Sequence, residues 1–270
     1  MKKFILSIAL CGAMFAENNS SLVTDNNMSI VSGIDQQMEL KITGEKLKEA
    51  FLMGASELYQ EGNISLETET TYSKDGVNFQ IFKPFINLDG EKYAISPVIM
   101  AFSDSFYFNN VTDIFGNDVI GDLTELNIEK TLKEILKDTK DYIELNSDKS
   151  NEMSVIIDVN CPACKKFLKN LVEDKETFKD SKIKIYFTTL LSAKNGKVFP
   201  IQDEKAVNDA CYVFNEVSKV DGFENKINKI IDLSSNLRLV DTSSSKCSDL
   251  KSSDKKLLIF GINRVPYVFE

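Results

Sequence analysis

The apolar positions of this chain change their spacing along its length, and each spacing predicts a different kind of element. Over residues 45–60 they recur at helical intervals. Leu47, Phe51, Leu52, Ala55, Leu58 and Tyr59 share one side, and Gly62 follows as a stop. Alternation then takes over: Leu66, Thr68, Thr70 and Tyr72 face one way and Glu67 and Glu69 the other, the period of a half-buried strand. Lys74-Asp75-Gly76 supplies a turn, residues 77–82 a second strand, and Asp89-Gly90 a break before strands over 93–102 and 106–115. Helical spacing returns over 127–143, with Ile128, Leu132, Ile135, Leu136, Tyr142 and Ile143 on one stripe. Glu129 is placed to pair with Lys133, and Asn127 to cap.

After a polar break at 146–151 the pattern becomes a short apolar run over 155–159, then Cys161-Pro162-Ala163-Cys164, then a helix turning Phe167, Leu168 and Leu171 inward. A strand over 183–191 and a helix over 203–218 containing Cys211 follow. Further helix spans 223–233, a Ser-rich loop carries Cys247, a helix-like run reaches 260, and a strand covers 265–269. The first half therefore reads as a small α+β module (17–123). A linker helix and break (124–150) leads to an α/β layered domain (151–270).

Composition narrows the function. With 270 residues, 43% hydrophobic and 27% charged, the chain has enough apolar material for a packed core. A net charge of −9 argues against a nucleic-acid partner, which would need a basic surface. Residues 1–16 read as a secretory signal: Lys2 and Lys3, an apolar run over 4–10, then small residues at Gly12, Ala13 and Ala16. Cleavage after Ala16 is the preferred reading, and lipid anchoring at Cys11 the lesser one. Removing the leader leaves Cys161, Cys164, Cys211 and Cys247 in an oxidising setting.

The Cys161–Cys164 pair carries the chemistry. Cys161 falls where the first N–H groups of a helix have no intrahelical partner, and their partial positive charge favours a thiolate. Pro162 suits the first helical position because its missing N–H costs nothing there. Cys164, one turn on, is placed to close a disulfide or to expel a mixed one. The competing reading is half of a zinc site, but the chain has no His and its other cysteines are isolated. No metal and no cofactor are implied. A third reading is a binding protein of holdase type, in which the thiols are secondary.

Strand–Cys161-Pro162-Ala163-Cys164–helix, followed by Gly261-Ile262-Asn263-Arg264-Val265-Pro266 entering a strand, resembles a thioredoxin fold. The layout of signal, cysteine-free module, linker helix and redox domain is similar to the periplasmic disulfide isomerases of the DsbC/DsbG type. Asp158, three residues before Cys161, matches that pattern. The resemblance implies Cys161 as the exposed nucleophile and Cys164 as the buried resolving thiol. It also implies a cis peptide before Pro266, with Val265 and Pro266 presenting substrate-binding backbone, and a structural disulfide between Cys211 and Cys247. It further implies homodimerisation through the N-terminal module, exported polypeptides as substrates, and a redox partner that resets the dithiol in the periplasm. Val265 stands where the isomerases usually carry Thr and the DsbA-type oxidases often Val, so a disulfide oxidase is the alternative. Arg264 replaces the usual Gly or Ala.

Two further expectations follow. The family's last strand and helix are missing after Glu270, so strand 265–269 is expected to be a bare sheet edge, with one sheet face uncovered and stability marginal; the alternative is that residues 38–123 or the helices near 223–233 cover the gap. Asn19, Asn27 and Asn63 each sit in an acidic-x-Asn-x-Ser pattern that matches a bacterial N-glycosylation acceptor.

Overall fold

The computed structural model describes residues 63–74, 77–95, 98–101, 121–196 and 199–270. The leader with Cys11, the helix expected over 45–60, the strand expected over 106–115, and Asn19 and Asn27 lie outside them.

The N-terminal sheet grows from one long hairpin. β1 (Asn63–Lys74) runs antiparallel to β2 (Val77–Leu88), with a register shift between Thr68 and Thr70. Asp89 and Gly90 both take positive φ, +54° and +83°, the turn that suits the right-handed twist of a hairpin. β3 (Glu91–Ala94) and β4 (Val98–Ala101) then pair with the two halves of β2. The single strand expected over 93–102 is thus two strands; Pro97, between them in sequence, has no N–H for a ladder.

α1 (Gly121–Leu136) starts earlier and ends sooner than the spacing suggested. Asn127 is not a cap. It lies buried inside the helix, its carbonyl accepting from Thr131 Oγ1 at 2.9 Å. Ile143 leaves the helical stripe altogether and opens β5 (Ile143–Leu145), where Ile143 and Leu145 point inward and Glu144 lies between them. Leu132 and Leu136 make α1 part of a core shared with Ile156, Tyr186, Leu257 and Phe260. Each fully buried leucine contributes about 2–3 kcal/mol.

The second sheet has the order β5-β7-β6-β8. β6 (Asn151–Ile157) is parallel to β7 (Ser181–Phe187), while β5 and β8 (Tyr267–Phe269) are antiparallel to their neighbours. Alternation along the strands builds two cores. Val155, Ile157, Ile183, Ile185 and Phe187 face α2 (Pro162–Glu173), α4 (Glu204–Val217) and α5 (Phe223–Asn236). Ile156, Tyr186, Tyr267 and Phe269 face α1 and α6 (Ser248–Phe260). A short α3 (Lys175–Phe178) follows α2. The sheet face expected to lie open is therefore covered by α1 and α6. Among the described residues no strand pairs with the outer edge of β8. The layering and strand order are compatible with a thioredoxin-like fold.

α6 also carries the N-terminal sheet. Ile259 packs with Ile86, Tyr93 and Ile95, and Lys255 Nζ lies 4.8 Å from the Tyr93 ring centre. At its other end, Asp141 Oδ2 accepts from Asp249 N and Leu250 N, each at 3.0 Å. This carboxylate caps α6 from outside, where the N-cap residue Cys247 makes no side-chain cap bond. Cys247 is joined to Cys211 on α4 by a disulfide, with Cα atoms 5.6 Å apart, a separation usual for the bond.

Candidate functional site

The C-terminal end of β6 turns into α2 through Asp158, Val159, Asn160 and Cys161. Cys161 N donates to Asp158 O at 2.9 Å and closes the turn. Cys161 is the N-cap of α2, with extended φ and ψ of −85° and 117°, and Pro162 takes the first helical position. Its Sγ accepts from Cys164 N at 3.4 Å, the geometry of a capping side chain with sulfur in place of oxygen. On the other side Cys161 Sγ donates to Val265 O at 3.8 Å, and the Val265–Pro266 peptide is cis. The dithiol thus lies between the start of α2 and the approach to β8. Both thiols are free.

One expectation changes here. Cys161 is 5% exposed, not open to solvent, although it is more accessible than Cys164 at 1%. The reason is the Val265 segment, which lies against the sulfur and which local sequence around the dithiol does not reveal. Cys164 is enclosed with Leu168 and Leu171. Burial pushes its thiol well above the ordinary cysteine range; an N–H from the Asp158 backbone offsets part of this, and the neighbouring Cys161 adds to the rise.

Asp158 is 1% exposed and links two segments. Its Oδ1 accepts from Asn160 N at 2.7 Å and its Oδ2 from Leu191 N at 2.9 Å. Burial raises its carboxyl above the usual range. Those two N–H groups pull it back, and the charge of Asp254 adds a smaller rise.

Asp254 is the residue that reading the sequence missed. It is completely buried on α6 and accepts from Thr188 Oγ1 at 2.7 Å, Thr189 N at 2.8 Å, Thr189 Oγ1 at 2.8 Å and Gln202 Nε2 at 2.7 Å. The signal available was a charge on an apolar stripe, since Leu250, Asp254 and Leu257 share one face of α6. Together the two carboxylates fix residues 188–191 beside the dithiol turn. The Cys211–Cys247 disulfide joins α4 to the start of α6, with Cys211 in the same apolar core as Cys161 and Cys164.

No protein-family model matches this sequence, and no curated protein matches it. Among solved structures, that of Helicobacter pylori DsbG shows a TM-score of 0.40 and 16% identity, over 83% of this chain and 99% of that one. At that distance neither fold nor chemistry is carried from one chain to the other.

Proposed function

We propose that this chain is an exported thiol–disulfide oxidoreductase that reshuffles disulfides in polypeptides. The observation that carries the reading is the position of Cys161 Sγ, capping α2 and lying against Val265 O. Cys161, as thiolate, attacks one sulfur of a substrate disulfide. That S–S bond breaks, a Cys161–substrate disulfide forms, and the other substrate sulfur departs as a thiolate. The freed thiolate attacks a second disulfide of the same substrate, and a later substrate thiolate displaces Cys161. No electrons are gained or lost overall.

Cys164 provides the exit from a stalled intermediate. It attacks Cys161 Sγ, closes the Cys161–Cys164 disulfide and releases reduced substrate; the redox partner that returns the pair to thiols is a further protein. Burial raises the Cys164 thiol, so a proton has to leave it before it attacks. Val265 and Pro266 present backbone to the substrate, Pro162 starts the helix, and Asp158 holds the turn. The N-terminal module joins two copies in this reading, supported by the β1 edge, which has no strand partner beyond β2 among the described residues. Net oxidation of reduced substrates is the second reading, favoured by Val265 before the proline.

The test is trapping. Cys164→Ser accumulates mixed disulfides on Cys161, seen by mass spectrometry after acid quenching and lost with added reductant. Adducts formed instead through Cys164 in a Cys161→Ser variant would reverse the roles. Recovery of a scrambled substrate without added oxidant separates isomerase from oxidase.

A further inference from the structure

Two exposed leucines stand at the dithiol end of the molecule, each on a segment that buried polar groups hold in place. Leu191 is 56% exposed. It follows β7, whose ladder with β6 continues through Thr188 N to Ile157 O at 2.8 Å. Its N–H shares the Asp158 carboxylate with the N–H of Asn160, the residue before Cys161. The order β7-β6-β8 places Leu191 on one side of Cys161 and Val265 on the other.

Leu239 is 83% exposed, on the 3-10 turn Leu237–Leu239 that ends α5. Helices α5 and α2 run antiparallel: Lys165 Nζ donates to Ser234 O at 3.0 Å near the dithiol, and Lys175 pairs with Glu224 at 2.7 Å at the far end. The turn after α5 therefore emerges at the cysteine end of α2. It is anchored on both sides, by Leu237, which is buried, and by Thr242 Oγ1 donating to the buried Asp209 at 2.7 Å. Single exposed apolar residues are ordinary. Leu191 and Leu239 stand on separately clamped segments, and both segments emerge at the cysteine end of α2.

The geometry points to Leu191 and Leu239 as the specificity-determining flanks of the dithiol site, which take apolar side chains on either side of the substrate's reacting cysteine. The favoured disulfide is then one whose reacting cysteine is flanked by apolar side chains. This rests on the thiol–disulfide reading, since only a sulfur-bearing chain reaches Cys161 and both flanks together.

The experiment uses the full chain and two synthetic disulfide peptides that differ only beside the cysteine, Leu and Phe in one and Ser and Asn in the other. The quantity read is the ratio of kcat/KM for the apolar peptide to that for the polar one, in wild type, Leu191→Ser, Leu239→Ser and the double variant. The wild-type ratio exceeds one. Each single change lowers it about fivefold through KM, the factor that accompanies burying roughly half a leucine side chain. Thermal melting checks that the variants are folded. A ratio of one in wild type, or a ratio that the substitutions leave in place, overturns the proposal while the dithiol reading stands. A wild-type protein that exchanges with neither peptide nor with glutathione disulfide overturns both.

Discussion

Replacing Asp254 by alanine removes the acceptor for four donors at once, the Thr188 and Thr189 hydroxyls, the Thr189 N–H and the Gln202 amide. Thr188 and Thr189 are 0% and 1% exposed, so bulk solvent does not reach the donors left behind. An unsatisfied buried donor costs about 1–3 kcal/mol. The hydroxyls can rotate toward other acceptors, but the Thr189 N–H cannot. The expected loss is about 4 kcal/mol, a large part of the ~5–15 kcal/mol that holds a typical domain folded. Asp254→Asn keeps the volume and one oxygen, and its new N–H₂ can donate to a rotated Thr189 hydroxyl. It then opposes Gln202 Nε2, which is not free to flip because it also donates to Lys251 O at 2.8 Å. The expected loss for asparagine is therefore smaller, about 1.5 kcal/mol. Urea unfolding followed by far-UV circular dichroism measures both, the chain having no Trp for fluorescence. An alanine variant within about 1 kcal/mol of wild type, or an asparagine variant as damaged as alanine, would refute the reasoning.

Three further outcomes are expected. Opening the Cys211–Cys247 bond, by a double change to alanine, costs about 4 kcal/mol in the chain-entropy account of a loop with separation 36, read as a lower urea midpoint. Asp141→Ala uncaps α6 and costs about 1 kcal/mol in the same assay, while Asp141→Asn recovers part of it. Asp158 gives a pH signature. Its carboxyl is raised in the folded protein, so as pH climbs above the ordinary value of 3.8 the unfolded chain releases the proton first. Stability therefore falls with rising pH until the folded carboxyl also ionises, and Asp158→Asn flattens that slope; an unchanged slope in the variant would remove the assignment.

How much of this was legible in the sequence depends on the range of the interaction. Helices α2, α4, α5 and α6 show in apolar spacing, and α4 also in a local cap, Asp203 Oδ1 accepting from Ala206 N at 3.0 Å. The dithiol is legible because four consecutive residues hold it. β5 is not, since three residues are too few to show alternation, and Ile143 continues a helical count that the chain itself abandons after Leu136. The strand expected over 183–191 ends at Phe187: Thr188 N still reaches Ile157 O, but Thr189 N turns to Asp254, a partner 65 residues away. The burial of Cys161 has the same origin: what covers it lies 104 residues downstream.

These long-range contacts converge on α6. Its start is capped by Asp141 and tied to α4 through Cys247, and its middle sends Asp254 to residues 188 and 189. Its end holds the N-terminal sheet through Ile259, with Lys255 over Tyr93. A helix fixed at so many points is a poor hinge. Displacing it would break buried hydrogen bonds and open the packing of Ile86, Tyr93 and Ile95 together, costs that add because the groups are separate. The β1–β4 sheet is therefore seated on the helix that sets the loop beside Cys161, not suspended from α1 as from a tether. α1 is itself core, with Leu132 and Leu136 buried against the second sheet. The site's rigidity then rests on both sheets, and a change at Tyr93 or Ile259 belongs with changes at Asp254 in what it does to the segment that carries Leu191.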